Sequence, residues 1–379
     1  MLLSGIFPPI TTPFYPDGEV HHNEVYYKKI EANVDRYSRT PIAGMVVQGS
    51  TGEAILLSDQ ERRDVLKAAL AAAAPNKVMI AGTGVESAHE TLRLNEYAAE
   101  LGYDAAMVRT PHYYKKQMLT ANLLAFYRTV ADRSALPIII YNFPQVTGYD
   151  LPAEVVIELA GHPNIIAIKE SSGNLDKVKA MIDGTRHIKR QATVTETFEA
   201  VTPRMLKAAA AESEKQSREL VSVSSLAGSA GEGSLEKRGT SPVQDALPAK
   251  PSSSAVTVVG KLKTRRKEVG FQIMVGAAHQ LESSLAMGAA GAILAFACPA
   301  PMACYEIYVA LKDGDTALAR EKQERIKLAT QRVGDLGVPG MKYAMDLNGY
   351  YGGPSRLPFL PLSGEQKTEI EKLMTGIKS

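Results

Sequence analysis

Several common features are missing from this sequence of 379 residues, and each absence narrows the reading. There are only two cysteines, Cys298 and Cys304, both in an apolar C-terminal stretch. A disulfide framework is excluded, and a reduced, cytoplasmic protein is expected. Charge of one sign is not in excess: 43 Lys and Arg face 41 Asp and Glu, for a net +2. Nothing points to nucleic acid or a membrane surface as the main partner. No apolar run reaches the length of a membrane span. The opening MLLSGIFPPITTPF lacks a basic n-region and is broken by prolines, so it does not read as a signal peptide. A full dinucleotide fingerprint is also missing, since AGTGVES offers only G-x-G.

What is present is an alternation. GIFPPITTPF, IAGMVVQGSTGE, KVMIAGTG, YDAAMVRTP, LPIIIYNFP and IIAIKESSG are short apolar runs of strand length. Runs without polar alternation are expected of strands buried on both faces of a parallel sheet. Between them the apolar period becomes helical. Ser58 with Glu61, and Ser87 with Glu90, have capping-box spacing, and Gly102 is placed to end the helix it follows. Leu119 to Asp132 and Pro152 to Gly161 continue the series. Phe271 to Ala278 and Ala289 to Ala297 supply a seventh and an eighth strand. Eight strand–helix units predict an α/β fold, a (β/α)₈ TIM barrel, with a doubly wound open sheet as the runner-up. Helices are expected over Met302 to Lys312, Thr316 to Gly334 and Glu365 to Ile377. The domain reading is a barrel over 1–300 and a helical C-terminal region over 301–379.

The rhythm fails from about Thr193 to Glu268, where no clear strand is legible. ETFEAVTPRMLKAAAAESEKQSREL could form a helix. The Ser-, Gly-, Pro- and Ala-rich stretch VSVSSLAGSAGEGSLEKRGTSPVQDALPAKPSSSAV reads as a disordered insertion between the sixth and seventh strands. Loop-closure cost grows only logarithmically with length, so a barrel tolerates one such excursion.

In a TIM barrel the active site lies at the C-terminal ends of the strands. Those ends read QGSTGE, RTPHYYKK, YNFP, KESSG and GAAH. They lack a His/Asp/Glu cluster suited to a metal, with His112 and His279 isolated, so no metal is expected. Lys169 ends an apolar strand. A lysine amine is a nucleophile only when neutral, and an apolar barrel mouth disfavours the ammonium. The alternative is a lysine paired with Glu53 or Glu170 at the sheet edge. Tyr141 on the adjoining strand is a phenol that could move protons for imine formation, or a tyrosine of the core rim. The turn Gly49-Ser50-Thr51-Gly52-Glu53 gathers two hydroxyls and backbone amides able to hold a carboxylate, or is an ordinary connection. Glu53 is expected to satisfy backbone donors. Tyr113 and Tyr114 could reach the site or pack at an interface.

GSTGE, AGTG, YNFP followed by TG, and IKESSG occur here in the order and spacing of the dihydrodipicolinate synthase / N-acetylneuraminate lyase family. The sequence resembles that family from about Gly5 to Met181 and again from about Phe271 onward. The resemblance implies a homotetrameric (β/α)₈ barrel that acts on pyruvate or another 2-oxo acid through a lysine Schiff base, without metal or organic cofactor. It implies that Lys169 is the Schiff-base lysine and Tyr141 the proton-relay tyrosine. Ser50 would link Tyr141 to a second tyrosine, Tyr113, lent across a subunit interface, with Tyr114 its competitor. Thr51, beside Gly49, would hold the pyruvate carboxylate, and Ile293 would line the site with its carbonyl. Family synthases usually carry an arginine two residues beyond the proline of YN-x-P, and here that position is Val146. GAAH stands where many synthases have GDD. The segments TPHYYKKQM and MKYAMDLNGYYGGPSRLPFLPL resemble the 4-hydroxy-2-oxoglutarate aldolase-like members, in which Ser171 would contact the substrate hydroxyl. The implied function is a 2-oxo acid aldolase of that type, with 4-hydroxy-tetrahydrodipicolinate synthase and a catalytically silent binding barrel as alternatives. The insertion, about seventy residues beyond a usual βα unit, is not a feature of the family. A tether, a partner-binding segment and a gene-model artefact all remain open for it.

Overall fold

The computed structural model describes residues 1–227 and 256–377, apart from residues 17, 19, 22 and 198 and the side chains of 216–227. Eight parallel strands make the main sheet: β1 (Gly5–Phe7), β2 (Gly44–Val47), β3 (Val78–Gly82), β4 (Ala105–Arg109), β5 (Ile138–Asn142), β6 (Ile165–Glu170), β10 (Gln272–Val275) and β11 (Gly291–Ile293). Their order is β1-β11-β10-β6-β5-β4-β3-β2, and every pairing is parallel. The ring closes between β1 and β2, where Ala43 N donates to Ile6 O (3.0 Å), Val46 N to Pro8 O (3.0 Å) and Ile10 N to Val46 O (2.9 Å). The expected TIM barrel is the observed fold.

The strand sequences explain why. In β5 and β6 every residue is buried, because odd positions such as Ile139, Tyr141 and Ala167 meet the barrel interior and even ones such as Ile138, Ile140 and Ile168 meet the surrounding helices. Phe7, Val46, Ile80, Met107, Ile139 and Met274 fill the interior. Ile140, Ile168 and Ile273 face outward into the larger shell of the core. Truncating such a residue to alanine costs about 2–5 kcal/mol. The crossover helices are α1 (Tyr27–Ser38), α2 (Asp59–Ala72), α3 (Ala88–Leu101), α4 (Thr120–Arg133), α5 (Pro144–Thr147, a single turn), α6 (Ala153–Ala160) and α7 (Leu175–Thr185). Ser58 and Glu61 form the full capping box of α2. Ser87 accepts from Glu90 N to cap α3, and Gly102 ends it in the left-handed region. α9 (Leu281–Ala286) connects β10 to β11, and beyond β11 the chain is helical: α10 (Pro301–Lys312), α11 (Thr316–Asp335), α12 (Gly337–Leu347) and α13 (Gly364–Met374). No described helix is long and apolar enough to cross a membrane.

The reading of 193–268 as strandless is corrected. β7 (Arg190–Thr195), β8 (Thr257–Val259) and β9 (Leu262–Val269) form a second, antiparallel sheet in the order β7-β9-β8. LKTRRKEV hid its strand because its side chains alternate, burying Thr264 and Val269 and sending Lys263, Arg266 and Glu268 to water. The expected helix is present as α8 (Pro203–Ala227). Of the Ser/Gly/Pro-rich stretch, 228–255 lies outside the described residues. The small sheet and the start of α8 sit at the N-terminal end of the barrel. Arg190 donates to Ile165 O (2.7 Å), Ala160 O (2.6 Å) and His162 O (2.7 Å), and Arg204 binds Lys77 O. Met205 joins the interior side chains from below.

Candidate active site

Three adjacent strands present one tier of side chains at the barrel mouth. Arg109 of β4 is in register with Tyr141 of β5, and Tyr141 with Lys169 of β6. Alternation along each strand points all three inward, while the next residues on β5 and β6, Asn142 and Glu170, turn away. Glu170 is consumed there. It accepts from Asn142 Nδ2 (3.0 and 3.1 Å) and Ser172 N (2.7 Å), and it lies 3.3 Å from Lys177 Nζ. Glu53 is consumed as well, by Lys342 Nζ at 2.5 Å and Arg356 N at 2.8 Å. It therefore meets one of the backbone donors expected of it, and also a buried ammonium that was not expected.

Lys169 is thus left without either carboxylate proposed for it, and among the described residues it forms no ion pair. The residue is only 4 % exposed, and its Nζ rests on the Tyr141 ring, 4.2 Å from the centroid. Burial lowers its pKa to about 7. Tyr141 is equally buried, which pushes its phenol up to about 12 against the opposing pull of Ser50 and Arg109. Tyr141 Oη and Ser50 Oγ are 3.3 Å apart. The turn carrying Ser50 is bracketed by two non-glycine residues with left-handed backbone, Gln48 (φ 66°) and Glu53 (φ 52°). Such strain survives only where the surroundings hold it. Here the Glu53–Lys342 pair anchors one end, and the other is held by Gln48 Nε2 donating to Arg62 O. Gly49 sits against Pro9 and Met107, and Thr51 is buried.

The cavity beside this tier has a volume of about 500 Å³. Gly49, Ser50, Tyr141, Arg109, Glu86 and Tyr113 are among its lining residues; Lys169 and Tyr114 are not. Lys169 instead reaches the ring of Tyr141 from the adjoining strand. Tyr113 is 74 % exposed and packs edge-on to Tyr114, with ring centroids 5.1 Å apart. Its hydroxyl meets no hydrogen-bond partner among the described residues, so this chain brings Ser50 and Tyr141 together but not the second tyrosine. Ser171 packs against Gly276, where an added Cβ would fall 2.0 Å from Ser171 Oγ. Ile293 is buried in β11, in register with Phe7. Val146 is 55 % exposed, while its neighbour Gln145 donates to Ser172 O at 2.9 Å.

His112 is not isolated, contrary to the reading from sequence. Its Nδ1 lies 2.9 Å from Glu86 Oε1, and Glu86 Oε2 accepts from the amides of His112 (2.8 Å) and Tyr113 (3.0 Å). Glu86 and Arg109 were missed as site residues. Counting by twos from Ala105 and Met107 would have placed Arg109 inside the barrel. Glu86 comes from the loop after β3, and nothing local to the sequence signals its contact. Among the described residues no group of three or more His, Cys, Asp and Glu is disposed to hold a metal ion.

Comparison with known families completes this geometry. Residues 2–213 and 248–377 match the model of the dihydrodipicolinate synthetase family. The chain belongs to this family. One family relative, the 4-hydroxy-tetrahydrodipicolinate synthase of Xanthomonas axonopodis pv. citri, is 40 % identical over 182 residues, which is 48 % of this chain and 58 % of that protein. The chain therefore spans under two thirds of the length of this relative. The protein of the same name from Methanothrix thermoacetophila is 27 % identical over 375 residues, covering 99 % of this chain and 97 % of that one. Among solved structures of the family, the prophage protein YagE of E. coli K12, crystallised in complex with pyruvate, superposes with a TM-score of 0.71 at 23 % identity. That match covers 100 % of this chain and 99 % of YagE. The Aquifex aeolicus dihydrodipicolinate synthase gives 0.70 at 22 % identity, covering 99 % and 98 %. These likenesses establish the fold.

Proposed function

We propose that this family member is a class I lyase that holds a 2-oxo acid as an imine on Lys169 and makes or breaks the C3–C4 bond. The carrying observation is a buried lysine whose neighbouring carboxylates are both committed elsewhere and whose amine rests on a buried tyrosine. The neutral amine attacks the C2 carbonyl, and loss of water from the carbinolamine leaves an iminium. In cleavage, the C3–C4 bonding pair flows into the iminium to give an enamine, and the 4-hydroxyl loses its proton as the aldehyde departs. Tyr141, within reach of Ser50, relays these protons. Thr51 and the amides of its turn hold the substrate carboxylate, which supplies orientation. Lysine supplies the covalent chemistry itself, so no metal or organic cofactor is invoked. The exposed ring of Tyr113 supports its burial against another copy, as in a homotetramer whose subunits share sites.

The finer reading is a 4-hydroxy-2-oxoglutarate-type aldolase. It is supported by Val146, exposed and apolar where a synthase would place its arginine. The 4-hydroxy-tetrahydrodipicolinate synthase reading is favoured by the name of the Methanothrix relative, which spans nearly the whole chain. Borohydride reduction with pyruvate tests the chemistry. A three-carbon adduct mapped to Lys169 is expected, and a folded protein left unmodified at Lys169 would leave only a silent binding barrel. Supplying 4-hydroxy-2-oxoglutarate, and separately pyruvate with aspartate semialdehyde, then decides the substrate. Light-scattering mass in solution checks the assembly.

A further inference from the structure

The mouth of the barrel holds a cation that the chemistry above does not use. Arg109 ends β4 in the same tier as Tyr141 and Lys169. Its side chain is 18 % exposed and lines the cavity. Glu86 approaches one end of the guanidinium at 3.3 Å, but that carboxylate is divided among three other donors, the two amides and the ring of the 112–113 segment. Arg109 Nε is buried with no hydrogen-bond partner among the described residues. A buried guanidinium N–H with no acceptor is costly, and a ligand oxygen would relieve it. The second arginine of the cavity, Arg62, already gives its Nε to Ala54 O at 3.1 Å. Arg109 therefore brings to the cavity a buried donor that no described residue satisfies.

Geometry gives that donor a direction. Arg109 and Lys169 are separated by one strand, or about 10 Å between Cα atoms at two strand spacings. Both side chains point toward the barrel axis, so a ligand anchored at Lys169 extends past Tyr141 toward Arg109. A guanidinium is a planar fork that matches a carboxylate with two parallel hydrogen bonds. The position where family synthases supply such a group is Val146, which cannot.

We propose that Arg109 is the specificity-determining residue that receives the distal carboxylate of a dicarboxylic 2-oxo acid whose C2 is held at Lys169. This rests on the lyase reading and deepens it. The competing role for Arg109 is a strut that steadies Glu86 and, through it, the segment bearing Tyr113. A strut affects all ligands alike, whereas a carboxylate receptor affects only those with a second carboxylate.

Borohydride trapping on the full chain separates the two. The probes are 2-oxoglutarate and 2-oxopentanoate, of equal carbon length, one ending in a carboxylate and the other in a methyl. Wild-type protein is expected to half-saturate at lower 2-oxoglutarate than 2-oxopentanoate. Arg109→Gln should weaken 2-oxoglutarate about 10- to 100-fold relative to 2-oxopentanoate. Arg109→Lys keeps the charge without the fork and should restore part of that ratio. A wild-type protein indifferent to the two ligands, or an Arg109→Gln that weakens both by one factor, overturns the proposal while leaving the Lys169 chemistry standing. Absence of any pyruvate adduct in the wild type overturns the lyase reading, and the proposal with it.

Discussion

Three lysines lie buried among the described residues; Lys77 spends its amine on the carbonyls of Thr40 and Ile42, while the surroundings of Lys169 and Lys342 give those two opposite characters. Lys342, in α12, is fully buried beneath Phe14, with Glu53 Oε1 at 2.5 Å and Pro354 O at 2.7 Å. Lys169 is almost as buried, but its amine meets a phenol ring and no carboxylate. Burial pulls both amines down, to about 8 for Lys342 against the pull of Glu53 and to about 7 for Lys169. Burial alone therefore does not distinguish a structural lysine from a reactive one. The partner does: a salt-bridged ammonium has its charge compensated and its donors occupied, while Lys169, which has no carboxylate partner among the described residues, is the amine proposed to attack the substrate.

The sharpest way to break this contrast is to delete each amine. Lys169→Met should abolish the borohydride-trapped adduct and lower turnover by at least about 10⁴-fold, measured by mass spectrometry and by aldehyde release. The same variant should be more stable than the wild type. The folded amine titrates near 7 and the unfolded one near 10.5, so the unfolded chain binds more protons between those values. Wild-type stability should therefore rise with pH through that window, and at pH 7 or below the variant should gain on the order of 5 kcal/mol. Denaturant melts at several pH values show whether that slope disappears. Glu53→Gln should move stability in the opposite direction, costing about 3–5 kcal/mol because it strands the Lys342 ammonium. A loss below about 1 kcal/mol in urea titration would erase the distinction between the two lysines. Tyr141→Phe should slow imine formation about 10²–10³-fold while leaving the fold intact by circular dichroism. The smallest expected effect is in the pH profile. Imine formation should climb about tenfold per pH unit below 7 and flatten above it, since only the neutral amine attacks. A profile still climbing through pH 9 would place the lysine in ordinary solvent.

Some parts of the molecule are legible in one dimension and others are not. The eight barrel strands are buried on both faces, so each is written as an unbroken apolar run. Capping residues mark the starts of α2 and α3, and Gly102 marks the end of α3. Lys169, Tyr141 and the Ser50 turn can be seen because barrel architecture assigns strand ends to one face. The strand β9 escaped because charged residues fill its exposed positions, and β7 because Gln191, Thr193 and Thr195 alternate with the small buried set of Ala192 and Val194; ion pairs such as Lys189–Glu268 and Lys263–Glu196 cross the small sheet. The helix α12 escaped because Gly337, Pro339 and Gly340 disguise its first turn, although Met341, Ala344 and Met345 give it a buried face. The Glu86–His112 and Glu53–Lys342 contacts join residues far apart in sequence. No local spacing could announce them.

The pairing of β7 with β9 also bears on how this barrel can be engineered. Arg190 is directly opposite Val269, and the ladder continues to Thr195 opposite Thr264. The chain thus leaves the barrel and returns to it side by side, zipped for six residue pairs. The gap the barrel must bridge between β6 and β10 is fixed by that stem, whatever number of residues is carried between α8 and β8. A reporter domain spliced between Ala227 and Val256 would hang from the end opposite Lys169, with its tether anchored by the ladder and by Arg190 and Arg204. The excursion that looked like an interruption of the fold is, mechanically, a mounting bracket.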